Sequence, residues 1–294
     1  MGSSSDGKGA TAAPAAHLLD NAYAASGMAY DKYDNKPLQP GWKEQSYPPH
    51  SVKGEALAAA QGVELISPEG QRFVSFRGTS QASDWKANLG QGAGLDTVKY
   101  DAAAKLGEAY RGENVIMTGH SLGGGLAKTA AAVASEPAPG GPTPPSSVCV
   151  VFNAAPVRFD TLSSHGVDTK DIKSETVQVV NRHDPLNRNA PGGKLSFYSG
   201  EVLKDREGPR DVIVVAEAKG GYDGSGHRLG SLAGPDGKLT TALVGGDHNA
   251  IDKAQFDTLV HARDAVANAP DVVRTLENAK SPQLHVEKGG PGGR

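Results

Sequence analysis

The stretch 114–134, NVIMTGHSLGGGLAKTAAAVA, holds the residues of this chain best suited to chemistry. A short apolar run, Val115-Ile116-Met117, leads into Gly119-His120-Ser121-Leu122-Gly123 and then straight into an alanine-rich segment. G-x-S-x-G between a strand and a helix is the pattern of a serine nucleophile carried on a sharp elbow. Side chains two places before and after the serine would crowd such a bend, so glycine stands at 119 and 123. The helix start behind Ser121 aims unpaired N–H groups at the reaction centre, where they favour negative charge. The backbone N–H of Leu122 is the oxyanion-hole donor this geometry predicts.

A serine hydroxyl is a poor nucleophile until a base takes its proton and an acid fixes the tautomer of that base. On elbow folds the order along the chain is serine, acid, histidine. Asp184 is the preferred acid: it follows the apolar run Thr176–Val180 and precedes a proline that stops the strand. Asp160, after an earlier strand, is its main competitor, and Asp168 and Asp171 lie in polar connections. His248 is the preferred base, because Gly-Gly-Asp-His lands on a predicted helix start that would hold the ring rigidly. His227, in Gly-Ser-Gly-His, is the second candidate, set in a loop able to place it anywhere. His261 falls inside the same predicted helix, on a solvated face. His120 and His183 adjoin the nucleophile and the acid and read as pocket lining.

The elements that must position these groups follow from periodicity and turn chemistry. Ala16–Ala25 reads as a first helix, and the polar, proline-bearing 31–50 as an ordered loop pinned by Trp42. Glu55–Leu65 and Arg72–Phe76 read as a hairpin across Ser67-Pro68-Glu69-Gly70. The second strand ends at Gly78-Thr79, and Thr79 offers an N–H and a hydroxyl at the carboxyl end, where open α/β sheets bind ligands. Gly90–Gly94 is a predicted loop and Thr97–Arg111 a helix. Glu136–Ser147, dense in proline, reads as a surface connection. Val148–Phe152, Thr176–Val180 and Asp211–Ala216 read as strands. Residues 220–246 are glycine-rich without a clear period and read as a functional loop. A helix from Asp247 to about Val266 and a short one after Pro270 close the chain. Strands alternating with helices around an elbow imply a mostly parallel sheet covered on both faces.

Composition narrows the class further. A length of 294 residues suits one or two domains; the reading is a tail over 1–15, a single α/β domain over 16–280 and a flexible tail over 281–294. A net charge of -3 offers no attraction for nucleic acid or an anionic membrane surface. The single Cys149 excludes an internal disulfide framework and a cysteine zinc site, and reads as a buried core thiol. No segment reaches the ~18 consecutive apolar residues of a membrane span. The first twenty residues lack a charged region followed by an apolar core, so the expected location is the cytoplasm or export by a leader-independent route.

These residues resemble the class 3 lipase family of α/β hydrolases. The resemblance covers most of 16–265 in the order of the family: Phe76-Arg77-Gly78-Thr79 with Asp84-Trp85 and Asn88-Leu89, Thr118-Gly119-His120-Ser121-Leu122-Gly123-Gly124, Asn153-Ala154-Ala155-Pro156, Asn181-Arg182-His183-Asp184-Pro185 and Asp247-His248. It implies an α/β-hydrolase fold, Ser121 as nucleophile, Asp184 as acid, His248 as base, and Thr79 with Leu122 as the oxyanion hole. It also implies action on acylglycerol or phospholipid esters at a membrane or micelle interface, with no metal or other cofactor. Asn153-Ala154-Ala155-Pro156 lacks the glycine usual in the family's G-x-P element. Leu-Asn-Arg-Asn follows Asp184-Pro185 in place of an apolar-proline run. The chain is most similar to bacterial members, some of which are effectors delivered into rival cells; for such a protein the implied partner is an inhibitory immunity protein. Segments 86–96 and 220–246 are the candidate lids. The same chemistry also serves a thioesterase or transacylase, and a non-catalytic interaction module on a hydrolase scaffold is the alternative from another class.

Overall fold

A computed structural model describes residues 18–79, 97–155, 157–181, 183–184, 212–216, 225–240, 243–245 and 250–251. Helix α1 (Leu18–Tyr33) comes first. Its buried Leu18, Ala22, Ala25 and Ala29 recur at helical spacing. It is longer than the predicted Ala16–Ala25, because Met28 and Ala29 continue the apolar stripe past the polar 26–27 step. That extension carries Tyr30 to the far end of the helix.

After the edge strand β1 (Lys43–Gln45) the sequence reading needs correction. Residues 55–60 are not strand but part of helix α2 (Val52–Ala60), and only β2 (Gly62–Ile66) belongs to the sheet. Ser51 caps the helix, its hydroxyl accepting from the Gly54 N–H, and Gln61 ends it in the left-handed region at φ 52°. Ala56-Leu57-Ala58-Ala59-Ala60 has high helix propensity, and that decided the segment. The hairpin itself is present: β2 pairs antiparallel with β3 (Arg72–Phe76), and Gly70 takes φ 85° in the turn. Trp42 packs on Phe73 with ring centroids 5.7 Å apart, pinning the preceding loop as expected.

Then follow α3 (Thr97–Ala109), β4 (Ile116–His120), α4 (Leu122–Ala134), β5 (Val148–Phe152), α5 (Phe159–Ser164), β6 (Glu175–Asn181), β7 (Val212–Ala216), β8 (Leu243–Gly245) and β9 (Ala250–Ile251). Ala250 and Ile251 pair antiparallel with β8, so at these residues a strand replaces the helix predicted from Asp247. Among the described residues the nine strands form one sheet in chain order from edge to edge. The five strands β3 to β7 are parallel, flanked by antiparallel pairs at either edge.

The strand alternation divides the core in two. Phe73, Val150, Phe152, Val177 and Val179 face α1. Val74, Phe76, Met117, Cys149 and Val151 face α2, α3 and α4. Each large side chain so buried contributes about 1.5–3 kcal/mol. Both faces are covered, as a parallel sheet requires. Along β4, Thr118 lies on the α1 side, where its hydroxyl meets that of Ser26 at 3.0 Å. His120, two residues on, turns the same way and reaches Tyr30. Sheet register thus settles which side of Ser121 each neighbour approaches from.

Candidate active site

Ser121 sits between β4 and α4 at φ 57°, ψ -126°, a conformation that costs a non-glycine residue energy. The surroundings impose it. A Cβ on Gly119 would lie 2.4 Å from the Gly123 carbonyl oxygen, and one on Gly123 would lie 2.1 Å from that of Phe76. A Cβ on Gly124 would fall 2.6 Å from that of Ala154. The Ser121 carbonyl accepts from the N–H groups of Gly124, Gly125 and Ala155, at 3.0, 3.2 and 2.8 Å. The Leu122 N–H has no acceptor among the described residues and stands at the start of α4, beside the serine. Thr79 is exposed and lies just past β3, the strand paired with β4 through Phe76 and Gly119.

Asp184 is fully buried at the end of β6. Its N–H donates to the Asn181 carbonyl at 2.9 Å, while the Asn181 side-chain oxygen accepts from the His183 N–H at 2.9 Å. This tight turn carries the carboxylate back over the strand end. Asp160 is exposed and paired with Arg158, and Asp168 and Asp171 are exposed, so none of the three competes for the site.

The imidazole that joins the serine to the aspartate belongs to His227. Its Nε2 lies 2.8 Å from Ser121 Oγ and its Nδ1 lies 2.9 Å from Asp184 Oδ1. A carboxylate accepts, so Nδ1 carries the proton and Nε2 presents its lone pair to the hydroxyl. His248, the base preferred on sequence grounds, lies outside the described residues, as do His261 and the lid candidate 86–96. The other lid candidate, 220–246, contributes His227 itself through its described part. Two short 3-10 turns, Ser225–His227 and Leu229–Leu232, hold the ring in place.

The rigidity of that turn comes from the ends of three consecutive parallel strands. After β5, Asn153 donates from Nδ2 to the carbonyls of Gly226 and His227 at 3.2 and 3.1 Å, while its Oδ1 accepts from the Asn181 N–H at 2.7 Å. At the end of β6, Asn181 donates to Ser231 Oγ at 2.8 Å, and that hydroxyl donates to the Gly226 carbonyl at 2.8 Å. At the end of β4, His120 Nε2 lies 2.6 Å from the His227 carbonyl. Gly226 is required as well, since a Cβ there would lie 2.7 Å from the His183 carbonyl oxygen. Asn153 adopts φ 43°, which asparagine tolerates better than most residues. Burial, with the neighbouring His227 ring adding to it, pushes His120 down to about 3, so it stays neutral beside that ring. The sequence reading had His120 only as lining and gave Asn153 no role of its own. Among the described residues no cluster of three or more His, Cys, Asp or Glu could hold a metal ion, and no helix is long and apolar enough to cross a membrane.

A serine, a histidine and an aspartate joined in this order can activate the hydroxyl for attack on an acyl group. Comparison with known proteins gives the lineage. The family model of the Tle-like phospholipase domain, described as phospholipase-like, matches residues 14–183, more than half of the chain. The chain belongs to this family. The Tle-like phospholipase match contains α1, the end of β3 with Thr79 and the bend at Ser121, and it stops one residue before Asp184. The extracellular phospholipase A1 of Serratia liquefaciens is 38% identical over 114 residues, which make up 38% of this chain. Those residues span 32% of the length of that relative, about a third.

Proposed function

We propose that the chain is a serine hydrolase of lipid carboxylic esters, of phospholipase A type, built on an α/β-hydrolase scaffold. The observation that carries this reading is the His227 ring, within hydrogen-bond distance of Ser121 Oγ on one side and Asp184 on the other. In the mechanism, Ser121 Oγ attacks the ester carbonyl carbon while His227 Nε2 takes its proton. Asp184 fixes the tautomer and stabilises the imidazolium that forms. The Leu122 N–H and Thr79, by the resemblance, stabilise the tetrahedral oxyanion. Collapse breaks the bond to the alcohol, which leaves with the proton from His227 as a lysolipid or glycerol fragment. Water, deprotonated by the same ring, then releases the fatty acid and restores Ser121. Family membership and the phospholipase A1 relative support a phospholipid as substrate.

The test combines phospholipid hydrolysis with fluorophosphonate labelling of the purified chain. Ser121→Ala and His227→Ala should each abolish labelling and lower turnover about 10⁴-fold or more. His248→Ala should stay within a few-fold of the parent. Loss of activity in His248→Ala with His227→Ala active would return the base to the later histidine. Labelling without release of fatty acid, but with turnover of thioesters or alcohol acceptors, would favour a thioesterase or transacylase. Absence of labelling would favour a non-catalytic module.

A further inference from the structure

We propose that His120 and Tyr30 are positioning residues, forming a one-way hydrogen-bond relay that ties the turn carrying His227 to the strand end carrying Thr79. The inference rests on the triad reading above. Its first link is the 2.6 Å contact between His120 Nε2 and the His227 carbonyl oxygen. A carbonyl only accepts, so Nε2 must carry the proton. The ring is neutral, and its Nδ1 is therefore an acceptor. Tyr30 lies 2.8 Å from that nitrogen and must donate its O–H to it. The Tyr30 hydroxyl in turn packs directly against Gly78, one residue before Thr79. Each direction follows from the one before, and none is reversible while the ring is neutral. Burial raises Tyr30 well above the ordinary tyrosine range, which keeps its proton in place.

The geometry leaves this chain little slack. A Cβ on Gly78 would lie 2.2 Å from the Tyr30 hydroxyl oxygen and 2.6 Å from the His120 carbonyl oxygen. The strand end, the tyrosine and the elbow are thus in direct contact, and all three move together or not at all. The far end of the relay holds the backbone of His227, whose side chain must meet Ser121 Oγ at hydrogen-bond range. Displacement of a reacting group by about 1 Å costs on the order of 100-fold in rate. A tether on the His227 carbonyl that also fixes Gly78 places the base and the oxyanion strand end in one frame. His120, a direct neighbour of the nucleophile in sequence, acts through others and touches no reacting atom.

The test compares His120→Leu, which has no N–H to offer, with His120→Gln, which keeps one, and with Tyr30→Phe, which removes a single oxygen. The readout is the rate of Ser121 labelling by a fluorophosphonate, with Tm measured in parallel. His120→Leu should label about 10- to 100-fold more slowly, the loss expected for a buried hydrogen bond. His120→Gln should recover most of that rate at a similar Tm. Tyr30→Phe should slow labelling about tenfold alone and add nothing in the His120→Leu background, as for members of one network. Wild-type rates in His120→Leu and Tyr30→Phe, or losses that follow Tm with no advantage to glutamine, would overturn the relay. If His120→Leu does not fold, Tyr30→Phe decides by itself. A wild-type chain that does not label at all would overturn the triad reading instead, and the relay with it.

Discussion

Ser121 and His227 approach to 2.8 Å, yet the chain holds them by opposite means. The serine is held by its immediate neighbours. Glycines at 119, 123 and 124 let the bend pack tightly, since a Cβ on any of them would come within 2.6 Å of Gly123, Phe76 or Ala154. The histidine is held by side chains remote in sequence: Asn153 lies 74 positions away and His120 lies 107. One anchor is steric and local, the other polar and assembled. The first tolerates no added atom, whereas the second tolerates no lost hydrogen bond. The two halves of the site should therefore fail differently.

The largest effect is expected at the elbow. Gly123→Ala places a methyl group 2.1 Å from the Phe76 carbonyl oxygen, and its next nearest atoms are backbone carbons of Phe76 and Arg77, so no flexible side chain can yield. The expected cost is about 3 kcal/mol or more, read as a fall in the midpoint of chemical denaturation. An unchanged midpoint would break the steric half of the comparison. On the polar side, Asn153→Leu keeps the branched shape but removes one donor from each of the Gly226 and His227 carbonyls and the acceptor of the Asn181 N–H. Fluorophosphonate labelling should fall at least about tenfold, with a loss of about 1–3 kcal/mol in stability. Equal labelling rates would show that the turn holds itself.

The smallest effect concerns acid. His120 is held at about 3 in the folded chain against an ordinary 6.5, so between those values the unfolded chain binds a proton that the folded one refuses. Its contribution is therefore complete above the ordinary value and is lost as pH falls toward the folded one. His120→Gln should reduce the pH slope of stability by up to one proton over that window, measured by urea unfolding at about pH 7 and about pH 5. The elbow glycines have no titratable group, so an identical slope in the variant would remove acid sensitivity from the list of differences.

The same contrast explains what could be read in advance. The elbow is a contiguous pattern of glycines and one serine, with a strand before it and a helix after it, so its geometry is written in neighbouring letters. The place of Asp184 just past β6 was legible for a related reason, since a strand end followed by proline marks where the chain must turn. The parallel core strands and the helices over both faces followed from apolar runs and their spacing. Preference for His248 over His227 rested on looking for rigidity in the local sequence, where Gly-Ser-Gly-His offers none. The rigidity is supplied by Asn153, Asn181 and His120, which only the sheet register brings together. Residues 55–60 went astray because an apolar run before a turn has no period that separates strand from helix, and the alanines then chose helix.

Tyr30 near one end of the chain and His227 deep in its second half meet through a ring from the middle. Contacts so far apart close long loops, and their entropy is recovered only when the parallel strands between them have already docked. The approach of Ser121, His227 and Asp184 should therefore be completed late in folding, in step with the whole sheet. Covalent capture of Ser121 during refolding would then report native assembly of the domain, and partly collapsed forms would escape it.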